Sequence, residues 1–118
     1  MKSNNLLIVE DNSYIGEKIV NTIKEFSGIQ DVRLTKNFQE AISFFNTTTF
    51  NLVVLDLNLP DGNGIELLKW SAERQIDAKF FVFSASTELK GISLKYGAFA
   101  FFDKAKDFDE LIETLKNA

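Results

Sequence analysis

The sequence predicts a doubly wound α/β domain, a parallel sheet of five strands with helices packed on both faces. Short continuous apolar runs recur along the chain, and stretches of helical periodicity lie between them. Polar residues collect just after the runs rather than inside them. Strands covered on both faces by crossover helices read as unbroken hydrophobic stretches, which is the pattern seen here.

The runs are Leu6–Val9 (LLIV), Leu52–Leu55 (LVVL), Phe80–Phe83 (FFVF) and Ala98–Phe102 (AFAFF). A weaker segment, Asp31–Thr35 (DVRLT), alternates with Val32 and Leu34 on one side, as an edge strand would. Ile15, Ile19, Ile23 and Phe26 recur at helical spacing behind Asn12 or Ser13 as a cap. Asn37 and Glu40 open a second helix carrying Phe38, Ala41, Ile42 and Phe45. Ile65, Leu67, Leu68 and Ala72 mark a third, and Leu89, Ile92 and Tyr96 a fourth. Gly91 should weaken that fourth helix by about 1 kcal/mol relative to alanine. The fifth runs from about Asp107 to Lys116, with Asp107 and Glu110 as a capping-box pair ahead of Leu111, Ile112 and Leu115. A βα order repeated five times predicts right-handed crossovers in one domain, residues 1–118. No internal repeat or low-complexity segment interrupts it.

Composition removes several functions. The 118 residues are 45% hydrophobic, enough for a packed core. With no cysteine there is no disulfide, thiolate metal site or cysteine nucleophile. With no histidine, the commonest general base and zinc ligand are gone as well. A net charge of −4 and singly scattered Lys and Arg argue against direct nucleic-acid binding. The first apolar run is too short for a signal peptide or membrane span, so the expected location is cytoplasmic, with no membrane partner.

In an open parallel sheet, ligands bind beyond the carboxyl ends of the strands. Glu10 and Asp11 follow the first run, Asp56 ends the third, Ser84 follows the fourth and Lys104 lies just past the fifth. Taken singly, each is most simply a loop residue or helix cap. Together they put three carboxylates, a hydroxyl and an ammonium on one rim. Neighbouring first and third strands would crowd the carboxylates and raise a pKa unless a cation intervenes. Mg²⁺ suits such oxygen ligands and commonly bridges one or two carboxylates to a phosphate oxygen. Charges of −3, +2 and +1 from Lys104 then cancel. A carboxylate can attack phosphorus to form an aspartyl phosphate. Mg²⁺, Lys104 and Ser84 are suited to the three equatorial oxygens.

These motifs resemble the receiver domain of bacterial two-component response regulators over essentially the whole chain. Glu10-Asp11 in LLIVEDN is similar to the family's metal-binding pair, and Asp56 in VVLDLNLPDGNG to its phosphoacceptor, with Pro60 and Gly64 at the usual offsets. Ser84 in FVFSAS matches the switch hydroxyl and Lys104 in AFFDK the family's lysine. The resemblance implies a flavodoxin-like (βα)5 fold with strand order 2-1-3-4-5. It further implies Mg²⁺ as cofactor, with the Asn58 backbone carbonyl completing the metal site. The phosphoryl donor would be a sensor histidine kinase or a histidine phosphotransfer protein, acting through a phosphohistidine. Phe101 falls at the switch aromatic. Its inward turn would alter the face of helix four, strand five and helix five, where a downstream output protein or a dimer partner binds. Asn58 and Ser86 match positions that govern loss of the phosphate, and small polar residues there imply no unusually long-lived state.

Two features depart from the family pattern. Ala105 follows Lys104 where the family usually has a cis proline, and a cis bond before alanine costs ~2.5–4 kcal/mol. A trans loop with Lys104 slightly re-aimed is therefore expected. The stretch from Ser84 to Lys104 is also a little short, which bears on where helix four starts. Asp61 and Gly62 read as turn residues shaping the loop.

The expected function is a phosphorylation-operated switch that catalyses only its own phosphorylation and dephosphorylation. An aspartyl phosphatase would carry Asp-x-Asp, but Asn58 stands two after Asp56, and 118 residues leave no room for a cap domain. A nucleotide binder lacks its Gly-rich loop. A degenerate receiver serving as a scaffold is the remaining alternative, resting on the loop departures. Whether the chain works alone or is part of a longer regulator stays open.

Overall fold

In the computed structural model, which describes residues 4–118, the main sheet has five parallel strands. They are β1 (Asn4–Val9), β2 (Ile29–Thr35), β3 (Leu52–Leu55), β6 (Lys79–Ser84) and β7 (Ala100–Asp103). A two-residue hairpin, β4 (Asn58–Leu59) with β5 (Gly62–Asn63), lies between β3 and the third helix. The helices are α1 (Ser13–Ile23), α2 (Phe38–Thr47), α3 (Gly64–Glu73), α4 (Lys90–Lys95) and α5 (Phe108–Lys116). The sheet order is β2-β1-β3-β6-β7, which is 2-1-3-4-5 when only main-sheet strands are counted. The fold is flavodoxin-like, as the resemblance implies.

Each apolar run divides its residues between two cores, because successive strand side chains point to opposite faces. Leu6 and Ile8 join Val54, Phe81 and Phe83 under α1 and α5. Leu7 and Val9 join Val53, Leu55, Phe80 and Val82 under α2 and α3. In α1, Ile19 and Ile23 are fully buried, and Phe26 packs on the same core from just beyond the helix end. Strand β2 lies at an edge, with Val32 and Leu34 half-buried against this core.

Three local expectations are corrected. First, the fourth helix is a 3-10 turn over Thr87–Leu89 followed by only six α-helical residues. That changes the helical phase, so Ser93 is buried, bonding Leu89 O at 2.7 Å, while Ile92 is 39% exposed. Second, the last strand starts at Ala100, because Gly97 takes φ +103° and closes α4. Gly97 N–H donates to Leu94 O at 3.2 Å and Ala98 N–H to Ser93 O at 3.0 Å, the two bonds of a Schellman motif. Third, Asp107 makes no capping bond to α5, and its carboxylate accepts from Asp103 N–H at 2.9 Å instead.

Candidate functional site

Because β1 and β3 pair in register, with Val9 opposite Leu55, the next residues of both strands come together. Asp56 N–H donates to Val9 O at 2.9 Å, which locks the two strand ends side by side. Carboxylate oxygens of Glu10, Asp11 and Asp56 consequently lie within 4.8 Å of one another. Glu10 is 1% and Asp56 3% exposed, whereas Asp11 is open to solvent.

Lys104 arrives from the end of β7, with its backbone N–H held by Ser84 O at 3.0 Å. Its ammonium lies 2.9 Å from Glu10 Oε1 and 3.1 Å from Asp56 Oδ2. Burial pushes the Glu10 carboxyl up to about 7, with Lys104 pulling it down and the Asp56 charge adding to the rise. Burial would lower the Lys104 pKa, but the two carboxylates outweigh it and the net shift is upward. One cation serves two buried carboxyl groups, and the crowding foreseen from the sequence is present, with the raised Glu10 pKa as its sign.

The remaining capacity is that of a hard-cation site. Glu10 Oε1 is buried and close to the ammonium, but it receives no aligned hydrogen bond. All donors in the cluster are carboxylate oxygens, which fits Mg²⁺ far better than a soft metal. Glu10 Oε2 accepts from Asn12 N–H at 3.2 Å, and Asp56 Oδ1 from Asn58 N–H at 3.2 Å. Backbone donors thus orient both buried acids.

Two of the other candidates, Ser84 and Asn58, meet at Ser86. Ser84 is fully buried, and its hydroxyl accepts from Ser86 N–H at 3.0 Å. Asn58 Nδ2 donates to Ser86 Oγ at 3.1 Å, joining the two positions singled out for phosphate lifetime. Phe101 is half-buried against the core shared with Leu89 and Tyr96. Asn12, not Asp11, caps α1 through Ile15 N–H at 3.1 Å, so Asp11 has no capping duty there. Gly64 lets α3 approach: a Cβ there would stand 2.6 Å from Asp56 O and 2.9 Å from Leu57 Cα.

The Lys104-Ala105 bond is trans, there being no cis peptide among the described residues. Lys104 still reaches both acids. Ala105 N–H, which a proline would lack, donates to Asp103 Oδ1 at 2.8 Å, and Asp107 N–H to Asp103 O at 2.8 Å. No spacing or composition signal in the chain marks this Asp103–Asp107 turn. Thr35 is equally unmarked. Its edge position still leaves it in contact with the site, since Thr35 O accepts Glu10 N–H at 2.9 Å while its hydroxyl bonds Glu40.

An open parallel sheet with buried acids at the carboxyl ends of β1 and β3, and a lysine reaching them from beyond the edge strand β7, defines a doubly wound α/β protein with an acid-centred site at its strand ends. Comparison with known proteins narrows this. The response regulator receiver domain model matches residues 6–116, and the chain belongs to that family. It is 30% identical over 115 residues to the transcriptional regulatory protein MalR of Bacillus subtilis, covering 96% of this chain and 49% of MalR. It is similar in structure to the receiver domain of the Francisella response regulator 1452, with TM-score 0.84, 29% identity and 98% of both chains covered. The non-phosphorylated HemR receiver domain of Leptospira biflexa superposes with TM-score 0.86 at 28% identity, over 98% of this chain and 93% of that one. The chain spans about half the length of the curated relatives MalR and CitB of Klebsiella pneumoniae.

Proposed function

We propose that this receiver domain is a phosphorylation-operated switch whose acceptor is Asp56. The observation that carries the reading is the pairing of a buried strand-end Asp56 with Lys104 at 3.1 Å beside two further carboxylates. An Asp56 oxygen attacks the phosphorus of a phosphohistidine on a sensor kinase or phosphotransfer protein. A P–O bond forms, the P–N bond breaks, and the departing imidazole takes a proton from solvent. Mg²⁺ held by Glu10, Asp11, Asp56 and the Asn58 carbonyl would supply charge compensation for the transferring oxygens. Lys104 holds Asp56 in place and balances the added charge, about one unit beyond the carboxylate it replaces.

Ser84 would exchange its bond to Ser86 N–H for one to the phosphoryl group, drawing the loop before α4 inward. Phe101 would then turn, changing the α4-β7-α5 face read by an output protein or by a second copy of the domain. Relatives such as NarL of Escherichia coli and MalR are named as regulators and are about twice this length, which supports an output partner or domain coupled to the receiver. The small Asn58 and Ser86 side chains support access for a hydrolytic water and a lifetime well short of many hours. The domain works in the cytoplasm on this reading; no helix among the described residues is long and apolar enough to cross a membrane.

The test is intact mass after incubation with acetyl phosphate and Mg²⁺, with Asp56→Asn as control. One Mg²⁺-dependent phosphoryl adduct, absent from the control, is expected. A folded protein that takes none would overturn this reading in favour of a scaffold role.

A further inference from the structure

The hairpin β4-β5 carries Asn58, yet its two strands pair only with each other. Its hydrogen bonds to α2 come from Asp61, in its turn. Asp61 Oδ1 accepts from Phe38 N–H at 2.7 Å and Oδ2 from Gln39 N–H at 3.0 Å. These amides are the first two of α2 and have no partner within the helix. The α2 cap itself is a different residue: Asn37 Oδ1 accepts Glu40 N–H at 2.8 Å. The Phe38 ring adds a packing contact, since a Cβ on Gly62 would lie 3.3 Å from Phe38 Cδ2. The first turn of α2 is also tied back to the acids, because Glu40 bonds the Thr35 hydroxyl and Thr35 O takes Glu10 N–H.

We infer that Asp61 is a positioning residue: its two-pronged bond to the start of α2 docks the β4-β5 hairpin and so fixes Asn58 over the acid cluster. The inference rests on the functional reading above, in which Asn58 offers its carbonyl to Mg²⁺. Hydrogen bonds with an ionised acceptor are shorter and roughly twice as strong as neutral ones, and this pair is bidentate. The Phe38 amide holds the Asp61 carboxyl below its usual range, so the tie stays intact at neutral pH. Without it, the hairpin would lose its hydrogen bonds to α2 and keep its two-residue ladder, the Asn58–Ser86 and Gly64–Leu57 bonds and the Leu59 packing, a weaker hold on so short a ladder. Asp61 touches no reacting atom and acts only through Asn58.

The test compares Asp61→Ala, Asp61→Asn and Asn37→Ala with the unaltered protein. Amide exchange of the metal-free proteins is read first, at Asn58 N–H and at Gly64 N–H, which bonds Leu57 O. In Asp61→Ala both amides should exchange roughly tenfold or more faster. In Asp61→Asn, which keeps one acceptor oxygen, the increase should be smaller. Asn37→Ala should loosen α2 and lower the melting temperature without accelerating Asn58. Titration with Mg²⁺ should then show severalfold weaker binding for Asp61→Ala, with the phosphorylation rate recovered at saturating Mg²⁺. Unchanged Asn58 exchange in Asp61→Ala, or equal acceleration in Asn37→Ala, would overturn the inference. A wild type that takes no phosphoryl group would overturn the functional reading instead, and amide exchange would still decide the role of Asp61.

Discussion

Lys104 and Asp56, 48 residues apart in sequence, meet with the ammonium nitrogen 3.1 Å from Oδ2. The same nitrogen lies 2.9 Å from Glu10 Oε1, so a single lysine stands between two buried acids. Breaking a buried pair from one side leaves uncompensated charge in a poorly solvated place, which is worse than never having had the pair.

Lys104→Met keeps most of the side-chain length and removes the charge. Without Mg²⁺ near neutral pH, it should lose on the order of 3–5 kcal/mol in urea unfolding, less with saturating Mg²⁺. A loss below about 1 kcal/mol, typical of surface pairs, would show that water already screens the two acids.

Glu10 gives the metal-free protein an unusual pH dependence. Its folded pKa of about 7 lies above the unfolded 4.5, so the native state binds more protons between those values. Stability from this group is fully present below about 4.5 and is lost as pH rises through about 7. Lys104, raised above 10.5, keeps its contribution throughout that window. The urea midpoint should therefore fall between about pH 5 and about pH 8, and Glu10→Gln should flatten that slope.

Gly64→Ala should destabilise by about 1–3 kcal/mol, because the new Cβ would meet backbone atoms of Asp56 and Leu57 that cannot swing aside. Phosphoryl uptake should slow with it. A Cβ added at Gly91 in α4 would meet nothing within 4 Å, so Gly91→Ala should stabilise by up to ~1 kcal/mol. Paired chemical denaturation curves separate the two.

Asp103→Ala should slow phosphorylation of Asp56 by acetyl phosphate more than it harms stability. It removes the acceptor for Ala105 N–H and loosens the turn that aims Lys104, while the bonds between the Asp103 backbone and Asp107 remain. The expected stability loss is about 1 kcal/mol, that of one part-exposed hydrogen bond. An unchanged rate would mean that the β7 ladder alone aims the lysine.

Ser84→Ala should leave phosphoryl uptake measurable but blunt the response of Phe101. The check is the Phe101 ring signal in NMR spectra before and after acetyl phosphate and Mg²⁺. A full ring shift in the variant would remove Ser84 from the switch.

The parallel sheet and the polar residues at its strand ends were legible in the amino-acid order, whereas the strand order 2-1-3-4-5 followed from the resemblance to receiver domains. Continuous runs such as LLIV and LVVL can be satisfied only by burial on both faces, and in-register pairing then delivers Glu10 and Asp56 to one place. The strands and their double-sided burial are consequences of period and hydrophobicity, both local; that β1 pairs with β3 is a property of the assembled sheet. How the site is braced came only with the packed chain. Asp61 reads as a turn residue and in fact holds α2, 23 residues away; Thr35 sits in an edge strand and still holds Glu10. Asp107 passes for a capping residue and instead closes the turn around Lys104. The exposed Ile92 and the buried Ser93 follow from a 3-10 start that shifts the phase of α4. A polar side chain has several partners of similar energy, so which one it takes depends on what the packed backbone brings within about 3 Å, and no sequence pattern carries that distance.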